Sequence, residues 1–492
     1  MSLKKLSGET LIYGLSSIMG RLLNFVLVTP FITRVLTDAE FGEVGNLMFW
    51  TALLIALIVF RMDTAVFRFA SRGEYDPEAV FRRSQRLVWL ATGLIIGPLL
   101  LLSGPIAELL DAPAADTYVR LVLVIVALDA LSAVPLARLR LRQRPWTFVA
   151  VNLGNVALNI GLLYGLLFVL PESYPQWFEP SFRVGYYLLA LAVASAFRYA
   201  LLVVDGLRAA SPAGDPVLDR PAAAGGAPEL GQLFRYSLPL TVVSVAGIGN
   251  SLVGPAVLIG YDEAVAGYFN AALRMAVFLN LFVTAYQYAA EPFFFRQSGR
   301  DLATADRTIY ADAMRAYGLV ATLAIAGILL GLPWLQLFLG PDLRPGLVVL
   351  PVLLVANLLF GIYSNLSIAY KLTDQTLLGG GIALVGSVFA VGGPLLFTSA
   401  YGIWAPAVGM LLCFAVMCAL AYRVSRRYFP VDYPFGRMLL YALVAAAGCG
   451  LGTLSDHLLW RAGLLLVVIL CLGLIERQWL RRTFLGAGAG AG

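Results

Sequence analysis

The chain alternates long apolar blocks with short polar turns, and the length of those blocks limits its fold more than any other feature. They run about 18–25 residues, enough for a helix to cross roughly 30 Å of hydrocarbon. In lipid every backbone polar group must be satisfied internally, which leaves helices or closed barrels. Barrel strands would be shorter and alternate in polarity, and no such pattern is visible. With 60% hydrophobic and 13% charged residues over 492 positions, the chain reads as an all-α polytopic membrane protein. About fourteen spans can be counted, near 10–36, 44–70, 85–104, 117–137, 146–170, 183–205, 233–258, 265–290, 311–332, 345–369, 376–397, 402–424, 437–455 and 459–480. The N-terminal MSLKK leads into a span that holds Glu9 and Arg21 and is too long for a cleaved signal, so it is expected to be retained.

Cations sort the connecting loops into two kinds. Lys4/Lys5, Arg68 to Arg86, Arg138/Arg140/Arg142/Arg144, Arg296/Arg300/Arg307, Arg423/Arg426/Arg427 and Arg477/Arg481/Arg482 all fall on one face. The opposite loops are short and lean acidic, as at Glu108/Asp111/Asp116 and Asp262/Glu263. The positive-inside bias then predicts that both termini are cytoplasmic. The net charge of +6 is accounted for by this topology, so no nucleic-acid partner is expected. Cys413, Cys418, Cys449 and Cys471 lie in apolar spans without paired ligand spacing, and His457 is the single histidine, so no metal site is expected.

The layout repeats. A shift of about 225 residues lays FGEVGN (41–46) on AGYFNA (266–271), and related shifts align Pro105 with Pro333 and VALDAL with VANLLF. An even number of spans separates the copies, so both insert the same way, as a parallel repeat of six helices. The expected division is a six-helix bundle over 1–205, a flexible Ala/Pro/Gly-rich linker over 206–231 and a second bundle over 232–430. Two further helices over 431–482 and a disordered tail over 483–492 follow.

Three intramembrane arginines stand out: Arg21 in the first span, Arg61 in the second near Asp63, and Arg274 in the eighth. Each costs about 2.5–3.5 kcal/mol at the bilayer centre, so a polar cavity is the expected host. Asn24 extends the stripe of Arg21, and Asn270 that of Arg274. The planar guanidinium fork suits phosphate oxygens bidentately. Snorkelling, or pairing with Asp63 or Asp129, is the alternative, and Arg61 is the most open to it. Asp129, in mid-span, is a candidate site for H+ or Na+, with a counter-ion role standing equally open.

Pro30-Phe31-Ile32-Thr33-Arg34-Val35-Leu36, followed by Phe41-Gly42, together with the six-plus-six-plus-two layout, resembles the polysaccharide-export flippases. These are the O-antigen, or Wzx-type, lipid-linked oligosaccharide transporters of the multidrug/oligosaccharidyl-lipid/polysaccharide exporter (MOP) superfamily. The resemblance implies a V-shaped pair of bundles in the bacterial cytoplasmic (inner) membrane, working by alternating access and catalysing no reaction. Its cargo would be a polyprenyl-diphosphate-linked glycan for surface polysaccharide, its partners membrane lipids and other polysaccharide-assembly proteins, and its only cofactor a coupling ion, H+ or Na+. Lipid II flippases, a sister family, are similar in placing arginines in a central cavity. Substrate contacts are therefore expected at Arg21, Asn24, Arg61, Asn270 and Arg274, with ion coupling at Asp129. A drug/cation antiporter of the same superfamily is the alternative, although it calls for cavity carboxylates rather than arginines. A glycan polymerase or glycosyltransferase would need catalytic acids on larger outer loops than these.

Overall fold

A computed structural model describes residues 19, 22–71, 75–105, 115–142, 144–208, 226–297, 307–373 and 375–481, and among them the regular structure is all helical. Thirteen helices are long and apolar enough to cross a membrane, and the first span contributes a shorter apolar helix, α1 (Phe25–Val35). The first half continues with α2 (Asp38–Val59), α3 (Met62–Ser71), α4 (Pro77–Leu101), α5 (Ala115–Leu141), α6 (Pro145–Tyr164) and α7 (Arg183–Arg208). The second half comprises α8 (Leu230–Leu258), α9 (Glu263–Gln297), α10 (Thr308–Leu330), α11 (Leu350–Leu372), α12 (Thr376–Ser387) and α13 (Trp404–Tyr428). Helices α14 (Phe435–Gly452) and α15 (Leu458–Ile475) complete the chain. Most of the 206–231 linker and the tail from residue 482 lie outside the described residues.

The two halves pack by the same rule. In the first, α5 lies against α7, α4 and the α2–α3 pair, and α6 lies against α7. In the second, α11 lies against α13, α10 and α9, and α12 lies against α13. Equivalent helices are six spans apart, so the halves are oriented alike. The tight turn into α2 is a capping box. Glu40 N donates to Thr37 Oγ1 at 3.2 Å and Thr37 N to Glu40 Oε2 at 2.8 Å, satisfying two otherwise orphaned donors.

The second span is broken, where the sequence predicts one unbroken helix over 44–70. Phe60 (φ 51°) and Arg61 (φ 54°) are both left-handed, separating α2 from α3. A non-glycine residue in that region costs roughly 1–2 kcal/mol. Two in succession persist only where their surroundings over-determine them, a pattern concentrated at functional sites.

Helices α14 and α15 dock on α10 and on each other, without counterparts in the first half. Glu476, just past α15 and fully buried, anchors them. Arg437 Nη1 lies 3.0 Å from its Oε1, and Arg315 of α10 and Tyr441 also hold the carboxylate. Burial would raise the Glu476 pKa, but the hydrogen bonds from Tyr441, Arg315 and Arg437 and the Arg315 charge outweigh burial and hold it below the ordinary 4.5. Its contribution to stability is thus present above about pH 4.5 and lost as pH falls through the lower folded value. Glu476→Gln should destabilise the detergent-solubilised protein by about 3–5 kcal/mol at neutral pH, because Arg315 and Arg437 lose their counter-charge. Thermal unfolding measured against pH should show the gap between variant and wild type narrowing below pH 4.5. A gap that stays constant down to acid pH would remove the ionic explanation.

Candidate functional site

The break at Phe60–Arg61 opens onto a cavity of about 520 Å³ between the halves. The first half supplies Val59, Arg61, Asp63 and Ala133, and α8 of the second supplies Ser244 and Ile248. Arg61 Nε and Asp63 Oδ1 are buried there without a hydrogen-bond partner. Among the described residues, neither side chain forms an ion pair. A buried polar atom left unsatisfied costs about 1–3 kcal/mol, and more when charged. Buried polar groups of this kind are as a rule hydrogen-bonded to protein, water or a ligand. The cavity carries both signs of charge, Arg61 and Asp63.

Towards the arginine-rich side, thin aromatic contacts join the two halves. Phe60 meets Phe234 edge-on at 5.5 Å, and Phe69 meets Tyr236 at 5.8 Å. Arg68 lies 4.3 Å over the Tyr236 ring, and Tyr75 Oη donates to Gln232 Oε1 at 3.0 Å. Arg83 Nη1 also reaches the carbonyl of Pro228 at 2.7 Å, pinning the segment before α8. These contacts are ring edges, a cation–π contact and hydrogen bonds, each worth on the order of 1 kcal/mol, so this closure is separable.

The opposite side is closed by backbone. A Cβ on Gly267 would stand 1.9 Å from the Asp38 carbonyl oxygen, and one on Gly42 2.4 Å from that of Glu263. A Cβ on Gly340 would likewise stand 1.8 Å from the Thr33 carbonyl oxygen. Tyr268 Oη donates to Asp38 Oδ2 at 3.1 Å, and Gly340 N donates to Thr33 Oγ1 at 3.1 Å. Arg34 donates to the Leu337 carbonyl. Thr33 and Arg34, from the segment that carries the family resemblance, thus stitch the halves together at the ends opposite the arginine-rich side.

The expected site residues do not converge. Asn270 is buried, and its Nδ2 donates to the Phe41 carbonyl at 2.8 Å. Arg274 lies over the Phe41 ring at 5.0 Å. Both therefore sit on the α2–α9 seam, whereas Arg61 follows the far end of α2. From Phe41 to Val59 the helix rises roughly 27 Å, so one diphosphate cannot bridge Arg61 and Arg274. Arg21 lies outside the described residues, and of Asn24 only the backbone is described.

Asp129 is not a free carboxylate. It is paired with Arg198 of α7, inside the first half. Arg198 is a further intramembrane cation, and its place in ALAVASAFRYALLVV is the same signal that marks Arg61. Asp129→Asn is expected to lower thermal stability by several kcal/mol by stranding Arg198, and Asp129→Asn/Arg198→Met to recover much of it. A stable Asp129→Asn single variant that loses only ion dependence of transport would contradict this.

No protein-family model matches the chain, and no curated protein matches it in sequence. Solved structures share its fold. A structure titled "Lipid II flippase MurJ, inward closed conformation" superposes with a TM-score of 0.72 at 14% identity, over 96% of this chain and 100% of that one. An inward-facing multidrug resistance MATE family transporter of the MOP superfamily gives 0.62 at 16% identity, over 87% and 98% of the two chains. An outward-facing one gives 0.56 at 19%, over 88% and 96%.

Proposed function

We propose that the chain is a MOP-type transporter of the bacterial inner membrane. It moves a polyprenyl-diphosphate-linked oligosaccharide from the cytoplasmic to the outer leaflet by alternating access, for surface polysaccharide assembly. The observation that carries this reading is Arg61, held in a left-handed backbone with Nε buried and unpartnered against a cavity between the halves. The flippase named above, whose fold the chain shares, adds support.

In this reading the arginine-rich face, with both termini, is cytoplasmic. The aromatic contacts of Phe234 and Tyr236 part, and the cargo diphosphate meets Arg61 while the glycan fills the cavity and the polyprenyl tail stays in lipid. The aromatic closure then re-forms and the glycine seam opens. That motion uncovers Arg274 as a second, outer station for the diphosphate. Outward movement of a dianion against an inside-negative potential gains roughly 4–5 kcal/mol per 100 mV. Asp63 supplies the release, because its carboxylate competes for Arg61 once the cargo has moved on. Protonation of Asp63, or a sodium ion held there, resets the site and takes over the coupling role that Asp129, paired with Arg198, does not offer.

Asp63 also favours a second reading, a drug/cation antiporter in which this carboxylate holds a cationic cargo. Proteoliposomes separate the two. The expected result is saturable flipping of a fluorescent polyprenyl-diphosphate oligosaccharide, competed by unlabelled polyprenyl diphosphate. Absence of flipping, with ethidium transport abolished by Asp63→Asn, would install the antiporter in its place.

A further inference from the structure

An aromatic pocket of about 500 Å³ opens on the second half, apart from the cavity that holds Arg61. Three segments build its aromatic wall. Tyr261 comes from the turn between α8 and α9, Tyr268 from the second turn of α9, and Tyr401 and Trp404 from the turn that leads into α13. The turns after the seventh and eleventh spans lie on the same side as the turn after the first, so the pocket is opposite the arginine-rich face. Gly402 (φ 51°) makes the last of these turns in a conformation that favours glycine. It lies against the Tyr261 ring, 3.8 Å from where a Cβ would stand. Tyr268 also reaches beyond its own half, through the hydroxyl that donates to Asp38 Oδ2, so the pocket adjoins the glycine seam.

The internal repeat separates this pocket from a simple interfacial anchor. A shift of about 227 residues lays Tyr174-Pro175-Gln176-Trp177 on Tyr401-Gly402-Ile403-Trp404. In the first half the two rings stack on each other at 5.7 Å, an arrangement that suffices to anchor a helix end at the membrane interface. In the second half both rings line a pocket together with Tyr261 and Tyr268. Tyr401 and Trp404 are 64% and 41% exposed, so their rings are open to a ligand. Among the described residues, no Asp, Glu, Lys or Arg lines this pocket. A phosphate finds no cation in its wall, and an ammonium ion finds no carboxylate. Four aromatic rings, three of them bearing hydroxyls, suit a neutral molecule with an apolar face and a hydrogen-bonding rim. A sugar ring has both, since its axial C–H groups form the face and its hydroxyls the rim.

We propose that this pocket holds a sugar ring of the cargo glycan on the side to which it is delivered, stacked on Trp404 and Tyr401 and hydrogen-bonded by the hydroxyls of Tyr261 and Tyr268. This subsite presupposes the glycan cargo read above and gives that glycan a place of arrival. Because the Tyr268 hydroxyl already donates to Asp38, its oxygen is left to accept. A sugar hydroxyl donating to it sits beside the contact that must part for the glycan to pass.

Two measurements on the full-length protein test it. The first is saturation-transfer difference NMR in nanodiscs, with the oligosaccharide of the transport assay freed of its lipid and diphosphate. Its C–H protons should receive saturation from the wild type, and the transfer should fall about tenfold in Trp404→Ala and in Tyr401→Ala. Both positions are exposed, and Tyr401→Ala carries the test if Trp404→Ala does not fold. The second compares two lipids in proteoliposomes. Each variant should slow flipping of the polyprenyl-diphosphate oligosaccharide about tenfold and leave that of bare polyprenyl diphosphate unchanged. A wild type that flips neither lipid overturns the cargo reading, and sugar binding then decides the subsite by itself. Flipping of the glycan-bearing lipid at the wild-type rate by both variants overturns the subsite alone. So does an absence of saturation transfer in the wild type, or transfer that both variants retain.

Discussion

Arg61→Gly should abolish cargo movement while leaving the protein at least as stable as the wild type. The two effects separate because the position carries two burdens. Its backbone is left-handed (φ 54°), a conformation glycine adopts without penalty. Its side chain holds a buried Nε without a partner against the cavity. Glycine relieves both the strain and the stranded polar group, so the folded state loses nothing it depends on. Transport, on the proposed mechanism, loses a charge-assisted contact to phosphate worth about 2–3 kcal/mol, or roughly 30- to 150-fold in rate. Arg61→Lys should retain a fraction, since a point charge still steers the anion but cannot grip two oxygens. Flipping rates in proteoliposomes, with thermal stability measured in parallel, decide the matter. Undiminished flipping by Arg61→Gly would remove Arg61 from the mechanism.

The second large effect is expected at Gly267. An alanine there would put its Cβ 1.9 Å from the carbonyl oxygen of Asp38, and that oxygen belongs to backbone and cannot swing aside. The seam between α2 and α9 must part, at a cost of about 1–3 kcal/mol by the usual price of overpacking. That shifts the population roughly 5- to 160-fold towards forms open on the side opposite the arginine-rich face. Gly267→Ala should therefore insert and fold but transport poorly, because one of the two alternating states is disfavoured. A cysteine at Ser244, in a background without the four native cysteines, reports the change. A membrane-impermeant thiol reagent added outside should label it far faster in Gly267→Ala than in the parent. Gly42→Ala should act alike, and the two together should be less than additive because they disturb one shared contact. Equal labelling rates in parent and variant would show that the seam is not the outer closure.

These two sites differ in how far the sequence announces them. The shift of about 225 residues that aligns the two copies places Gly42 on Gly267, and in the fold these equivalent glycines press against one another. Equivalent positions meet where a pseudo-two-fold axis passes, so the repeat foretold a contact as well as a layout. The break at Phe60–Arg61 has no such herald. Neither residue is glycine, proline or asparagine, and the charges at Arg61 and Asp63 mark a polar site without announcing a left-handed backbone.

The charges divide in the same way. Block length and the absence of strand periodicity determined an all-helical membrane protein with repeated halves, because hydrocarbon thickness acts on each segment separately and is read along one dimension. The partner of each buried charge is a matter of helix rotation and neighbour choice, which hydropathy does not encode. Asp129 could have been an ion site until α7 brought Arg198 against it. Arg274 and Arg61 read as one cluster until the rise of α2 set them at opposite ends of the seam. Asp63 shares the cavity with Arg61 because the left-handed break turns both towards α8, and that turn exists only in three dimensions.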